Sequence, residues 1–169
     1  MKTLSLILIL SVSMTLCNAQ VKLSKKMQEK TELMKFEPGV SFSDFKVKVE
    51  KVNTKPDLKS HELGHKFRSA IRNDYANVES KFAGHYSLAY WGCGSPCKIS
   101  VLVDRRNGKI YDAPTSSVGY EFQNDSRMLI VNPPDSLGYY DKDCPYCEPE
   151  IYILDEKTKK FELKNSLRL

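Results

Sequence analysis

The chain has 169 residues, of which 41% are apolar, 10% aromatic and 28% charged, with a formal net charge of +5. That size and balance suit one globular domain and exclude a multidomain assembly, a disordered chain and a collagen-like repeat. The charge is mild and no aromatic platform accompanies it, so no nucleic-acid partner is expected.

Lys2, the apolar run 4–16 and the small residues up to Ala19 have the form of a secretory signal peptide, 1–19, cleaved before Gln20. Such a leader implies a periplasmic or secreted protein. Cys17 leaves lipidation open, although Leu16 stands before it where a small residue is usual. No other apolar run could span a bilayer, so no transmembrane segment is expected in the mature chain. Residues 20–41, with Lys22, Lys25, Lys26 and Lys30, read as a polar lead-in, weakly helical or disordered, and 42–169 as a single globular domain.

Along that domain, 45–52 alternates Phe45, Val47 and Val49 with Lys46, Lys48 and Glu50, which predicts a half-buried strand ended by Pro56. Ser60 is placed to cap a helix over 60–76, whose stripe is Leu63, Phe67, Ala70, Ile71 and Tyr75. Short strands are expected at 85–91, 99–104, 109–111, 118–122, 128–131, 151–155 and 161–163. The Asn107-Gly108 turn and the polar stretch 156–160 predict hairpins, while 133–149 reads as one long irregular connection. The predicted fold is α+β: a mostly antiparallel sheet of short strands and hairpins with one main amphipathic helix packed on it.

Four cysteines lie beyond the leader, Cys93 and Cys97 in C-G-S-P-C and Cys144 and Cys147 in C-P-Y-C. In an oxidising compartment an even count points to disulfides, and three pairings are possible. Two close pairs could also hold zinc tetrahedrally. C-P-Y-C has the spacing of a thioredoxin-type redox site, but the strand-like residues 151–154 follow it and no βαβ context surrounds it.

His61-Glu62-Leu63-Gly64-His65 spells the H-E-x-x-H pattern, in which two histidines one helical turn apart hold zinc and the glutamate acts as general base. At 100° per residue both histidines fall opposite the apolar stripe. Lys59 and Lys66 flank the motif, and Arg68 and Ile71 stand where the extended motif needs glycine and a third histidine. Glu79 is an acid that could serve as third ligand, but nothing singles it out. A solvated helix face is the reading adopted, with no metal or cofactor; a zinc-dependent hydrolase using His61, Glu62 and His65 is the alternative. A papain-like site fails because His61, His65 and His85 all precede Cys93. No G-x-S-x-G elbow or phosphate loop occurs.

Phe82-Ala83-Gly84-His85-Tyr86, Trp91-Gly92-Cys93-Gly94 with Cys97, the D-x-x-x-G-K-x-Y stretch from Asp104 to Tyr111, and Asp125-Ser126-Arg127 form a segment that resembles a family of small exported bacterial proteins to which no activity is attached. The resemblance covers roughly 57–134. It implies that Cys93 and Cys97 act together, that the second histidine of H-E-L-G-H is incidental, and that C-P-Y-C lies outside the shared part. Two local bridges, Cys93–Cys97 and Cys144–Cys147, are therefore expected. The function expected is non-catalytic binding of an envelope or extracellular protein or a small ligand. His85, Tyr86, Trp91 and Arg127 are the candidate contacts, and the 91–97 loop is the main surface. A tryptophan there serves equally well as core filling. An inhibitor of an envelope hydrolase is one form of this reading, in which the positive net charge disfavours a basic lysozyme as target.

Overall fold

A computed structural model of the protein describes residues 32–165; the stretch 1–19 expected to be a signal peptide, Cys17 within it and the lysine-rich part of the lead-in up to residue 31 lie outside the described residues. Two four-stranded antiparallel sheets carry the fold. In the first, β2 (Lys81–Phe82), β3 (Tyr86–Gly94), β4 (Cys97–Asp104) and β5 (Ile110–Asp112) lie in sequence order. The second has the order β10-β9-β7-β6, with β6 Tyr120–Phe122, β7 Met128–Val131, β9 Glu150–Asp155 and β10 Lys160–Asn165. A two-stranded ribbon, β1 (Leu33–Lys35) against β8 (Tyr139–Asp141), completes it.

Side-chain alternation along each strand makes the layers. Tyr86, Leu88 and Leu102 of the first sheet pack with Leu129, Val131 and Leu154 of the second, while Ala89, Val101 and Val103 point the other way, toward Ile71 and Tyr75. Met128, Ile130 and Ile151 fill the outer side of the second sheet, under Phe36 and Tyr140. The four residues of β7 are thus buried on both faces, which explains an apolar run without alternation. Burying each of these leucines or isoleucines contributes about 1.5–3 kcal/mol.

Both expected hairpins are present. The Asp104 carboxylate accepts from Arg106 N (2.9 Å) and Asn107 Nδ2 (3.0 Å), and Gly108 turns the chain at φ +80° into β5. Asp155 does the same between β9 and β10, accepting from Lys157 N and Thr158 Oγ1.

Several expectations are corrected. The helix 60–76 is two short ones, α1 (Glu62–Lys66) and α2 (Arg68–Ala76), because Phe67 leaves helical geometry at φ −115° and ψ 29°. Its cap is His61, not Ser60, whose hydroxyl donates to Asp57 O and accepts from Ile110 N. Leu63 and Phe67 are only half-buried, at the edge of the cluster around Ile71. The stretch 45–52 is not a strand: a 3-10 turn occupies Phe42–Phe45, and 46–57 is a strap held by isolated bonds, Val47 N to Asp125 O, Glu50 N to Gly84 O, Thr54 N to Arg105 O and Asp57 N to Gly108 O. It runs so close to the turns it crosses that a Cβ on Gly84 or Gly108 would meet the backbone of Lys48 or Lys55. Within the lead-in, Leu33–Lys35 is a strand followed by buried Phe36, and within 133–149 lies its partner β8. No helix among the described residues is long and apolar enough to cross a membrane.

Candidate functional site

Both bridges are local: Cys93 to Cys97 with Cα atoms 5.2 Å apart, and Cys144 to Cys147 at 5.3 Å. The first closes the exposed tip of the β3–β4 hairpin. The second pins the loop between β8 and β9. Their loops meet at one cleft of about 230 Å³, lined by Pro96 and Cys97 from one and by Pro145, Tyr146 and Glu148 from the other.

A polar hub joins the two sides. Beyond the hairpin tip, Lys98 and Ser116 exchange backbone hydrogen bonds of 2.6 and 2.9 Å, which lays the 114–119 loop beside the first bridge. Asn132 sits at the end of β7 with φ 53°, a conformation its short amide tolerates. Its Oδ1 accepts from Ser116 Oγ (2.8 Å), Ser117 N (2.8 Å) and Val118 N (3.0 Å), and its Nδ2 donates to Glu148 O (3.3 Å) in the second bridged loop. Both Asn132 and Ser116 are buried, so the bond between them is shielded from water, while those to Ser117, Val118 and Glu148 are partly buried. Nearby, the Tyr120 hydroxyl lies 2.8 Å from Pro114 O, and burial pushes its pKa up to about 12. Tyr146 stands out of the rim at 62% exposure.

The second bridge lacks the helix-start setting of a thioredoxin-type site. A reactive thiol of this spacing is activated by a helix N-terminus, but here the strand β9 follows.

The four residues proposed from sequence as contacts do not assemble. His85 and Tyr86 are buried, their rings 4.0 Å apart. His85 Nε2 lies 3.9 Å from Asp104 Oδ1 without a hydrogen-bond partner among the described residues, and burial, then Arg106, pull its pKa below the usual imidazole value. The Tyr86 hydroxyl accepts from Lys159 Nζ at 2.6 Å, and burial drives the phenol pKa well above its ordinary range. Trp91 is on the opposite face of β3, half-buried and stacked on Phe67 with ring centroids 4.6 Å apart. It anchors the hairpin to the junction of α1 and α2. Arg127 donates to Leu154 O at 3.0 Å and ties β7 to β9.

His61 also corrects an expectation, since its side chain is only 13% exposed. As an N-cap it has extended dihedrals, so the helical wheel that turned it outward does not apply. Nδ1 accepts from Leu63 N (3.2 Å), which leaves Nε2 to donate to Asp112 Oδ1 (3.1 Å). Both ring nitrogens are engaged, and a zinc ion would have to displace one of these bonds. Glu62 and His65 are exposed. Among the described residues no three His, Cys, Asp or Glu side chains stand together as a metal cluster. Asn132, Ser116 and Tyr146 went unnoticed in the sequence, where nothing but the turn-like composition around them marks their positions.

Comparison of the chain with family models, with curated proteins and with solved structures finds no significant match.

Proposed function

We propose that the protein is an exported, non-catalytic binding module whose contact surface is the rim formed by the two bridged loops. The observation that carries this reading is that Pro96 and Cys97 share one cleft with Pro145 and Tyr146. Two short cystine loops stabilise a fold less than long-range staples do, but they stiffen the segments they close. Rigid loops presenting proline and an exposed aromatic lose little entropy on docking. The cleft, at about 230 Å³, is smaller than ordinary small-molecule sites, and it suits a side chain of a protein partner better than a whole ligand. Glu148 and Glu150 on its wall favour a basic side chain there, whatever the net charge of the whole chain.

The test is photo-cross-linking in the exporting host, with the probe at Ser95 or Tyr146 and a control at Val78, which is 69% exposed. A discrete adduct from the first two positions and none from the third is expected. No adduct from either rim position, or the same adduct from all three, contradicts the reading.

A further inference from the structure

A second cavity, of about 520 Å³, lies beneath the 46–57 strap. Its lining includes Lys51, Asn53, Lys81, Arg105 and Asn124, with Glu50 as the acid. Arg105 is the unusual member. Its side chain is buried, yet every partner it has is neutral: Nη1 donates to Tyr75 O (2.9 Å) and Ser87 Oγ (2.6 Å), Nη2 to Asn53 Oδ1 (2.7 Å), and Nε to Val52 O at 3.4 Å. The Tyr75 ring stacks 4.1 Å from the guanidinium carbon. Among the described residues no carboxylate stands within ion-pair distance of it. The nearby acids are committed elsewhere, Asp104 to the 106–107 turn and Glu50 to Arg106.

The adjacent arginine gives the contrast. Arg106 offers its Nε and Nη2 edge to both oxygens of Glu50, the bidentate pairing a guanidinium makes best. Arg105 offers the same edge only to a long carbonyl contact and to the amide of Asn53, which sits on an exposed stretch. Its other edge is fixed by α2 and β3. A desolvated cation without a counter-charge is costly, and an oxyanion taking that edge from its neutral acceptors would supply the missing charge. Lys51 and Lys81 in the same lining add to the positive potential.

We propose that this cavity is a binding site for a small organic oxyanion, a carboxylate or a phosphate ester, which displaces the Asn53 amide from the Nε and Nη2 edge of Arg105 while Lys81 closes over it. The proposal is independent of the bridged rim.

The experiment follows the Arg105 Nε–H resonance of the full mature protein by NMR during titration with inorganic phosphate and, separately, with succinate at constant ionic strength. A saturable shift in the millimolar range is expected with at least one. Phosphate alone identifies a phosphoryl ligand and succinate alone a carboxylate. Lys81→Ala should weaken binding about threefold with unchanged thermal stability in the absence of anion. Asn53→Ala removes the competing acceptor and should tighten binding, a change of sign that a purely structural Asn53 would not give. Absence of a saturable Arg105 shift with either anion, or affinities unchanged in both variants, overturns the proposal.

Discussion

The two ends of the β3–β4 hairpin are secured by opposite means. At the end where Tyr86 pairs with Asp104, the strap crosses the turns and is held by a polar network that is buried at Arg105, with its neutral partners, and open to solvent at the Glu50–Arg106 pair. At the other end, where Gly94 pairs with Cys97, the tip is exposed and covalently closed, and its neighbours are a second cystine loop and a polar hub. Long-range hydrogen bonds at the first end connect segments distant in sequence, so they belong to the fold. The bridges at the second end connect residues already close, so their effect is on local rigidity.

The difference is sharpest at Gly108. Its φ of +80° and its approach to Lys55 leave no room for a Cβ, and Gly108→Ala should cost about 2–4 kcal/mol in urea unfolding. Removing the tip bridge with C93S/C97S should cost about 2 kcal/mol or less in the loop-entropy picture. A bridge loss larger than the glycine loss would break the contrast.

A gentler probe is pH. The folded pKa of His85 lies below the unfolded value near 6.5, so the folded state resists the proton that the unfolded state accepts. The stability it contributes is complete above about pH 6.5 and is lost as pH falls from there toward the folded pKa. Glu50 and Asp155, whose pKa values are lowered by Arg106 and by the 157–158 turn, lose theirs only in the more acidic carboxylate range. His85→Gln should therefore flatten the stability profile between pH 7 and 5 while leaving the acid limb in place. The smallest effect is expected at Tyr146→Ala, within about 0.5 kcal/mol of wild type in thermal unfolding.

Much of the β-rich half could be read from sequence because its patterns are local. The alternation of β3 and β4, the Asn107-Gly108 turn and the polar turn after Asp155 each specify a hairpin from a few neighbouring residues. The strap could not be read that way. Phe45 and Val47 alternate as in a strand, yet Val49 is 45% exposed, because the segment takes its partners from turns 34 to 78 residues away rather than from one neighbouring strand. The β1–β8 ribbon failed for a related reason: Leu33 and Met34 are exposed, and only the distant pairing to Tyr140 and Asp141 makes them a strand. Leu63, Phe67, Ile71 and Tyr75 of the expected stripe line one cluster, but Ala70 is not part of it and nothing in the stripe announced the break at Phe67 that meets Trp91. The local bridges were legible; their sharing of a cleft was not, since it depends on Ser116 and Asn132 bringing two loops together.

Hydrogen exchange tests most directly whether the bridges stiffen a contact rim or hold the fold. The comparison is between the oxidised protein and a variant with Cys93, Cys97, Cys144 and Cys147 all changed to serine. Faster exchange is expected in 92–98, 115–119 and 141–149, with the central amides of β3, β4 and β7 keeping their protection. A uniform loss of protection through those strands would contradict the account, because the bridges would then be holding the core itself.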